Sequence, residues 1–144
     1  MKRRLKLACL GGSLRKSSVS ARVLQAIARI AEEHNFEVQL LLMRELPLPL
    51  YNPDLSIEEY PAELQQHIRR LVETCREADA VIICSPNYHG AVTGAIKNAL
   101  DFLEFLSDDP APYLQGKPVS LIAVADATNL SWIAQSIHEL RGWL

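Results

Sequence analysis

Ala80-Val81-Ile82-Ile83-Cys84-Ser85-Pro86-Asn87-Tyr88-His89-Gly90-Ala91-Val92-Thr93-Gly94-Ala95-Ile96-Lys97-Asn98-Ala99-Leu100-Asp101-Phe102-Leu103 changes its pattern twice. It opens with a short apolar, β-branched run over Ala80–Cys84, which reads as a buried strand. It closes with Ile96, Ala99, Leu100 and Leu103 at helical spacing, one apolar face of a helix. Between them lies a loop of Pro, Asn, Tyr, His and Gly. In an open α/β sheet, ligands bind at loops beyond the carboxyl ends of strands. This loop therefore has both the position and the side chains of a site.

Working outward, the same alternation recurs. Leu5–Leu10 reads as a strand, followed by the loop Gly11–Ser18. Val19–His34 reads as a helix with Val23, Ile27, Ile30 and Ala31 inward. Glu37–Leu42 reads as the second strand. Arg44–Pro53 carries Pro47, Pro49 and Pro53 and excludes regular helix. A second helix begins at Pro61, a residue suited to a first turn. Leu64, Ile68, Leu71, Val72 and Cys75 form its apolar face. Asp108–Gly116 is turn-rich and Val119–Val124 reads as the fourth strand. Leu130–Trp143 reads as the last helix, with Leu130, Ile133, Ala134, Ile137 and Leu140 aligned. Strands alternating with helices imply a parallel sheet with right-handed crossovers. The expected fold class is α/β: a flavodoxin-like three-layer sandwich with strand order 2-1-3-4. The Rossmann order is the runner-up. No internal repeat or linker divides the chain, so residues 1–144 are expected to form a single domain.

The 144 residues are 49% hydrophobic and 22% charged, enough apolar material for a packed core. Net charge is −2, but eight of the 15 Lys/Arg fall in residues 1–31, which hold no acid. That end suits an anionic ligand at the first loop as well as it suits a solvated basic surface. The 3 cysteines, Cys9, Cys75 and Cys84, show no CxxC and no metal spacing. They suggest reduced thiols in a cytoplasm. The four histidines are scattered, and no metal site is expected. Met1-Lys2-Arg3-Arg4 has the charge of a signal peptide, but the apolar run after it is interrupted by Lys6 and ends at Gly11-Gly12. No apolar stretch approaches the roughly 20 residues that span a bilayer. Neither a membrane nor a nucleic-acid partner is expected.

The first loop, Gly11-Gly12-Ser13-Leu14-Arg15-Lys16-Ser17-Ser18-Val19-Ser20, sits between a strand and a helix. Glycines allow a tight turn. The helix N-terminus offers free N–H groups and partial positive charge to a phosphate. Ser13, Ser18 and Ser20 add hydroxyls and Arg15 a guanidinium fork. A phosphate-monoester site is the functional reading; a helix cap beside a surface Arg is the plain one. Neither GxGxxG nor GxxxxGK[ST] is met. A competing reading rests on Cys9 and Arg15, spaced Cys-x5-Arg. That spacing resembles the low-molecular-weight protein tyrosine phosphatases, with Asp109-Pro110 and Tyr113 in place of their acid loop. A thiolate at a helix N-terminus is chemically sensible there. Lys16 stands where that family usually has Ser, and the Ser85–Leu103 segment has no counterpart in it.

Taken together, Gly12-Ser13-Leu14-Arg15-Lys16-x-Ser18 and Ser85-Pro86-Asn87-Tyr88-His89-Gly90, continuing to Lys97-Asn98-Ala99-Leu100-Asp101-Phe102, resemble the NADPH-dependent FMN reductase family of quinone, azo-dye and chromate reductases. Leu48-Pro49-Leu50-Tyr51-Asn52 is similar to that family too. The resemblance covers residues 5 to about 124. It implies FMN as cofactor and NADPH or NADH as hydride donor. It implies small-molecule acceptors of quinone, azo or flavin type, and a homodimer or homotetramer. It assigns the FMN phosphate to Ser13, Arg15, Ser18 and Ser20, the last often Asn in the family. It assigns the isoalloxazine ring to Pro86, Asn87, Tyr88, His89 and Gly90, with backbone N–H groups facing the polar edge of the ring. No catalytic side chain is implied, because the cofactor carries the chemistry. Lys97, Asn98 and Asp101 admit ligand binding, capping and orienting of the third helix, or a subunit interface; a structural role is favoured because the family uses this helix in its dimer packing. The chain departs from the family pattern at Ala125–Leu130, which has no glycine where the family has a Gly-rich loop. It also stops at Leu144, so the usual fifth strand is expected to be missing, with strand 4 covered by a partner subunit or an added segment. Alternatives left open are a flavodoxin-like electron carrier and a fold remnant without flavin.

Overall fold

The computed structural model describes residues 3–125 and 130–142. The apolar runs become four strands, β1 (Lys6–Gly11), β2 (Glu37–Leu42), β3 (Ala80–Pro86) and β4 (Val119–Val124). Four helices join or follow them: α1 (Val19–Glu33), α2 (Ala62–Glu77), α3 (Gly94–Asp101) and α4 (Leu130–Arg141). Every strand pair is parallel and the order is β2-β1-β3-β4. This is the flavodoxin-like order and not the Rossmann one. β3 runs to Pro86, past the apolar run, because Ala123 and Val124 of β4 lie opposite Ser85 and Pro86. The loop Asn87–Thr93 thus starts flush with the end of β4. Of the loop Ala125–Leu130 after the fourth strand, residues 126–129 lie outside the described residues, as do Trp143 and the side chain of Leu130.

One face of the sheet packs α2, α3 and α4 around Leu10, Leu41, Ile68, Leu71, Ile83, Ile96, Phe102 and Leu140. α1 covers the other face with Leu24 and Ala21 over Leu7, Cys9, Leu42 and Cys84. The inward side of α1 is Ser20, Ala21, Leu24 and Ala28. This corrects the expected stripe of Val23, Ile27, Ile30 and Ala31, since Ile30 is 54% exposed. The reason is close approach. A Cβ on Gly11 would lie 2.7 Å from Leu42 Cδ2 and 3.2 Å from Leu24 Cδ2. Only the side of α1 with two alanines around one leucine fits against a strand at that distance. In α4 the alignment shifts likewise: Ser136 and Leu140 are buried while Ala134 is exposed.

At the far end of the sheet from the loops, Asp79 closes the entry of β1. Its carboxylate accepts from the Arg3 guanidinium at 2.9 and 2.7 Å and from Lys6 N–H at 2.7 Å. The Arg3 hydrogen bond, then the Lys6 N–H, holds the carboxyl below its ordinary 3.8. A depressed carboxyl contributes stability above its unfolded value and loses it as pH falls through the lower folded value. Asp79→Asn is therefore expected to be less stable than wild type in urea at neutral pH. The gap should close as pH drops below 3.8. An equal gap at all pH values contradicts the Asp79 assignment.

Candidate functional site

The carboxyl ends of β1, β3 and β4 open onto a cleft of about 650 Å³. Ser13, Arg15, Ser18 and Ser20 line it from the first loop, and Pro86, Asn87, Tyr88 and His89 from the second. Eight of the nine sequence-predicted residues thus share one cavity. Gly90 does not line it; it is buried, packed behind the indole of Trp132. A volume in this range is usual for a small-molecule site.

The first loop owes its form to a cap. Ser18 is the N-cap of α1, and its Oγ accepts from Ala21 N–H at 3.1 Å. Ser18 Oγ also meets Ser20 Oγ at 2.9 Å. The first turn of α1 carries no acid, so its partial positive charge is not offset from within. Among the described residues the N–H groups of Val19 and Ser20 and the guanidinium of Arg15 have no hydrogen-bond partner. Ser13, Ser18 and Ser20 are all buried, with only their loop face open. Hydroxyls, free N–H groups and one unpaired cation on a helix N-terminus are the donor set of an anion site.

The second loop is a tight turn. Ala91 N–H donates to Tyr88 O at 3.1 Å, and Tyr88 N–H to Ala91 O at 3.0 Å. His89 (φ 55°) and Gly90 (φ 83°) both adopt left-handed backbone, the signature of a type I′ turn. This geometry corrects one expectation. The loop was expected to offer a row of N–H groups to a ring. Instead Asn87 N–H donates to Val124 O at 2.7 Å, and Gly90 N–H to Asn87 Oδ1 at 3.2 Å. His89 keeps the loop's one unspent N–H among Asn87–Ala91 in the described residues. The Asn87 amide is committed as well: its Nδ2 donates to Trp132 O at 2.9 Å and to Ser136 Oγ. Glu139 of α4 accepts from Val92 N–H at 3.0 Å. The loop is thus stapled to α4, and α4 in turn brings Trp132 to the cleft wall.

The structure also settles the fate of Cys9. It is fully buried on the α1 face of β1, does not line the cleft, and burial pushes its thiol up to about 11. A nucleophilic thiolate needs the opposite environment. The would-be acid Asp109 is held by Arg76 at 2.8 Å, beside the C-terminus of α2 and far from the cleft. Cys9 and Arg15 therefore do not form the nucleophile and phosphate clamp of a phosphatase. Cys84 is buried likewise, with its thiol also near 11.

Asn98 and Asp101 do not line the cleft. Asn98 accepts from Tyr51 N–H at 2.9 Å and donates to Pro49 O at 2.8 Å, clamping the Pro-rich segment onto α3. Lys97 Nζ meets both Asp101 oxygens at 2.6 and 2.8 Å, one helical turn apart. Two contributors escaped the sequence reading. Trp132 is 46% exposed beside Tyr88, and nothing in its own helix distinguishes it from a surface residue. Thr93 is buried and caps α3; a Thr immediately before a helical period is a readable cap signal. Among the described residues no group of acids, histidines and cysteines could hold a metal, and no helix is long and apolar enough to cross a membrane.

The chain is similar to known proteins. The quinone reductase of Escherichia coli (strain K12) is 39% identical over 120 residues, covering 83% of this chain and 59% of that protein. The NADPH azoreductase of Bacillus sp. (strain OY1-2) is 35% identical over 124 residues, covering 84% and 59%. This chain spans about three fifths of the length of these two relatives. Among solved structures, the flavoenzyme NAD(P)H:(acceptor) oxidoreductase FerB from Paracoccus denitrificans superposes with a TM-score of 0.70 at 26% identity, over 96% of this chain and 69% of that one. The family model described as NADPH-dependent FMN reductase matches residues 5–142, nearly the whole of the sequence and both loops of the cleft, and the chain belongs to that family.

Proposed function

We propose that this chain is an FMN-binding domain of an NAD(P)H-dependent reductase that passes electrons to small quinone-, azo- or flavin-type acceptors. The observation that carries this reading is the convergence of the two loops on one cleft. At one end are buried hydroxyls, free N–H groups and an unpaired Arg15, suited to a phosphate monoester. At the other are the flat backbone of the Tyr88–Ala91 turn, one free N–H at His89 and the indole of Trp132, suited to a flat ring with a polar edge. The donor set fits FMN. Bound there, FMN would supply the two-electron chemistry between a nicotinamide donor and an acceptor. Ser13, Arg15, Ser18 and Ser20 would hold the phosphate. Pro86, Asn87, Tyr88 and His89 would bound the ring, Asn87 through its place in the wall and not through its committed amide. Gly90 would act by letting the turn form.

The proposal includes a cytoplasmic location, in keeping with three buried free cysteines. It also includes a homodimer or homotetramer, with the outer edge of β4, which pairs only with β3 among the described residues, covered by a partner subunit or an added segment. Titration of purified protein with FMN, followed by anaerobic addition of NADPH and then a quinone, tests the reading. Tight flavin binding, bleaching by NADPH and recolouring by the acceptor are expected. Flavin that stays oxidised under NADPH points to an electron carrier instead. Failure to bind FMN at micromolar concentrations overturns the proposal.

A further inference from the structure

We infer that Thr93 is a positioning residue that fixes the spacing between the two loops, so that phosphate capture and ring capture reinforce one another; this rests on the flavin reading above. Three hydrogen bonds converge on Thr93. Its Oγ1 donates to Gly12 O at 2.6 Å, between residues 81 positions apart in the chain. The same oxygen accepts from Ile96 N–H at 3.2 Å. Its own N–H donates to Ser85 Oγ at 3.1 Å, and Ser85 Oγ donates to Pro86 O at 2.9 Å. An unbroken chain of bonds therefore runs from Gly12, where the phosphate loop begins, to Pro86, where the ring loop begins.

Capping α3 requires only the bond to Ile96 N–H. The bond to Gly12 O is additional, and it is the one that joins the loops. Both hydroxyls are out of water: Ser85 is 0% and Thr93 6% exposed. Water cannot substitute for a bond lost there, so the geometry is held strongly. The loops also touch sterically at this point. A Cβ on Gly12 would lie 2.8 Å from both Thr93 Oγ1 and Ile96 Cβ. Neither Thr93 nor Ser85 lines the cleft, so Thr93 acts through Ser13 and Pro86 and touches no ligand.

A ligand whose ring and phosphate are joined by a short linker engages two loops at once, and gains most when their spacing matches the linker's span. The measure of that match is the preference for FMN over riboflavin, which has the ring and lacks the phosphate. The test is fluorescence titration of both flavins against wild type, Thr93→Val and Thr93→Ser, with folding checked by circular dichroism. Thr93→Val keeps the shape and removes the hydroxyl. Its FMN-over-riboflavin preference is expected to fall roughly tenfold, with riboflavin affinity changed less. Thr93→Ser keeps the hydroxyl and should restore the preference. Should Thr93→Val not fold, Ser85→Ala breaks the other end of the same chain, between Thr93 N–H and Pro86 O, while leaving the α3 cap and the Gly12 bond in place, and should show a fall in the same direction. An unchanged ratio in the folded variant overturns the inference and leaves Thr93 a helix cap. Wild type that binds neither flavin overturns the flavin reading itself, a result distinct from an unmoved ratio.

Discussion

Gly12→Ala will lower the stability of this protein by about 2–3 kcal/mol and open the cleft at its base. The added Cβ would stand 2.8 Å from Ile96 Cβ, 2.8 Å from Thr93 Oγ1 and 3.3 Å from Ser85 Oγ. Ile96 Cβ is fixed to the backbone of α3 and is fully buried, so it cannot swing aside. Relief must come from moving α3, which is packed against the sheet, or β1, which is one of its two inner strands. Gly12 N–H also donates to Cys84 O at 2.9 Å, which holds the residue against β3 and prevents retreat. The same displacement stretches the bond from Thr93 to Gly12 O. Urea denaturation gives the stability loss, and FMN titration is expected to give a parallel loss of affinity. A change under about 0.5 kcal/mol, the size of an ordinary surface substitution, would contradict the close approach of these loops.

Asn87→Asp will uncouple α4 from the ring loop. The amide Nδ2 donates to Trp132 O at 2.9 Å and to Ser136 Oγ, while Oδ1 accepts from Gly90 N–H. A carboxylate can still accept from Gly90, but it turns a second oxygen toward the Trp132 carbonyl. The donation to Trp132 O is lost and replaced by acceptor facing acceptor, whereas the Ser136 hydroxyl can turn and donate to the carboxylate. At about 1–3 kcal/mol for a group left without its partner, the expected cost is about 1–3 kcal/mol. The change carries a pH signature. Repulsion raises the new carboxyl's folded pKa, and a protonated carboxyl can donate again. The deficit of the variant relative to wild type should therefore shrink as pH falls toward 5. Hydrogen exchange should show faster amides in α4 and unchanged amides in α2. A variant with wild-type exchange in α4 would refute the staple.

The strand order and the pairing of the two loops were legible because they rest on period. Ala80–Cys84 and Val119–Val124 are short β-branched runs, and the helical spacing from Ile96 onward has no competing reading. The first loop was legible as chemistry because three serines and Arg15 sit before a helix that carries Ser20 and no acid in its first turn. What could not be read was which side of each helix faces inward where small residues decide. In α1 the larger Val23, Ile27 and Ile30 form the stronger apolar stripe, yet Ala21, Leu24 and Ala28 face the sheet because Gly11 allows close approach. The internal bonding of Asn87–Ala91 was equally hidden. Residue types announce donors, but only the fold tells whether Val124 O or Asn87 Oδ1 has already taken them. Trp132 lies 45 residues after Asn87 and meets it through a backbone carbonyl, a contact with no trace in side-chain identity.

The type I′ turn at Tyr88–Ala91 bears on how fast a ligand can be captured. Its two cross-turn hydrogen bonds and the Asn87 bond to Gly90 are closed before any ligand arrives. The two left-handed residues have thus been ordered during folding, and no loop closure remains for the moment of encounter. In stopped-flow mixing, the observed rate should rise linearly with flavin concentration and show no plateau from a slow rearrangement. A loop of the same sequence left open would instead set a ceiling on that rate, however well its residues were chosen.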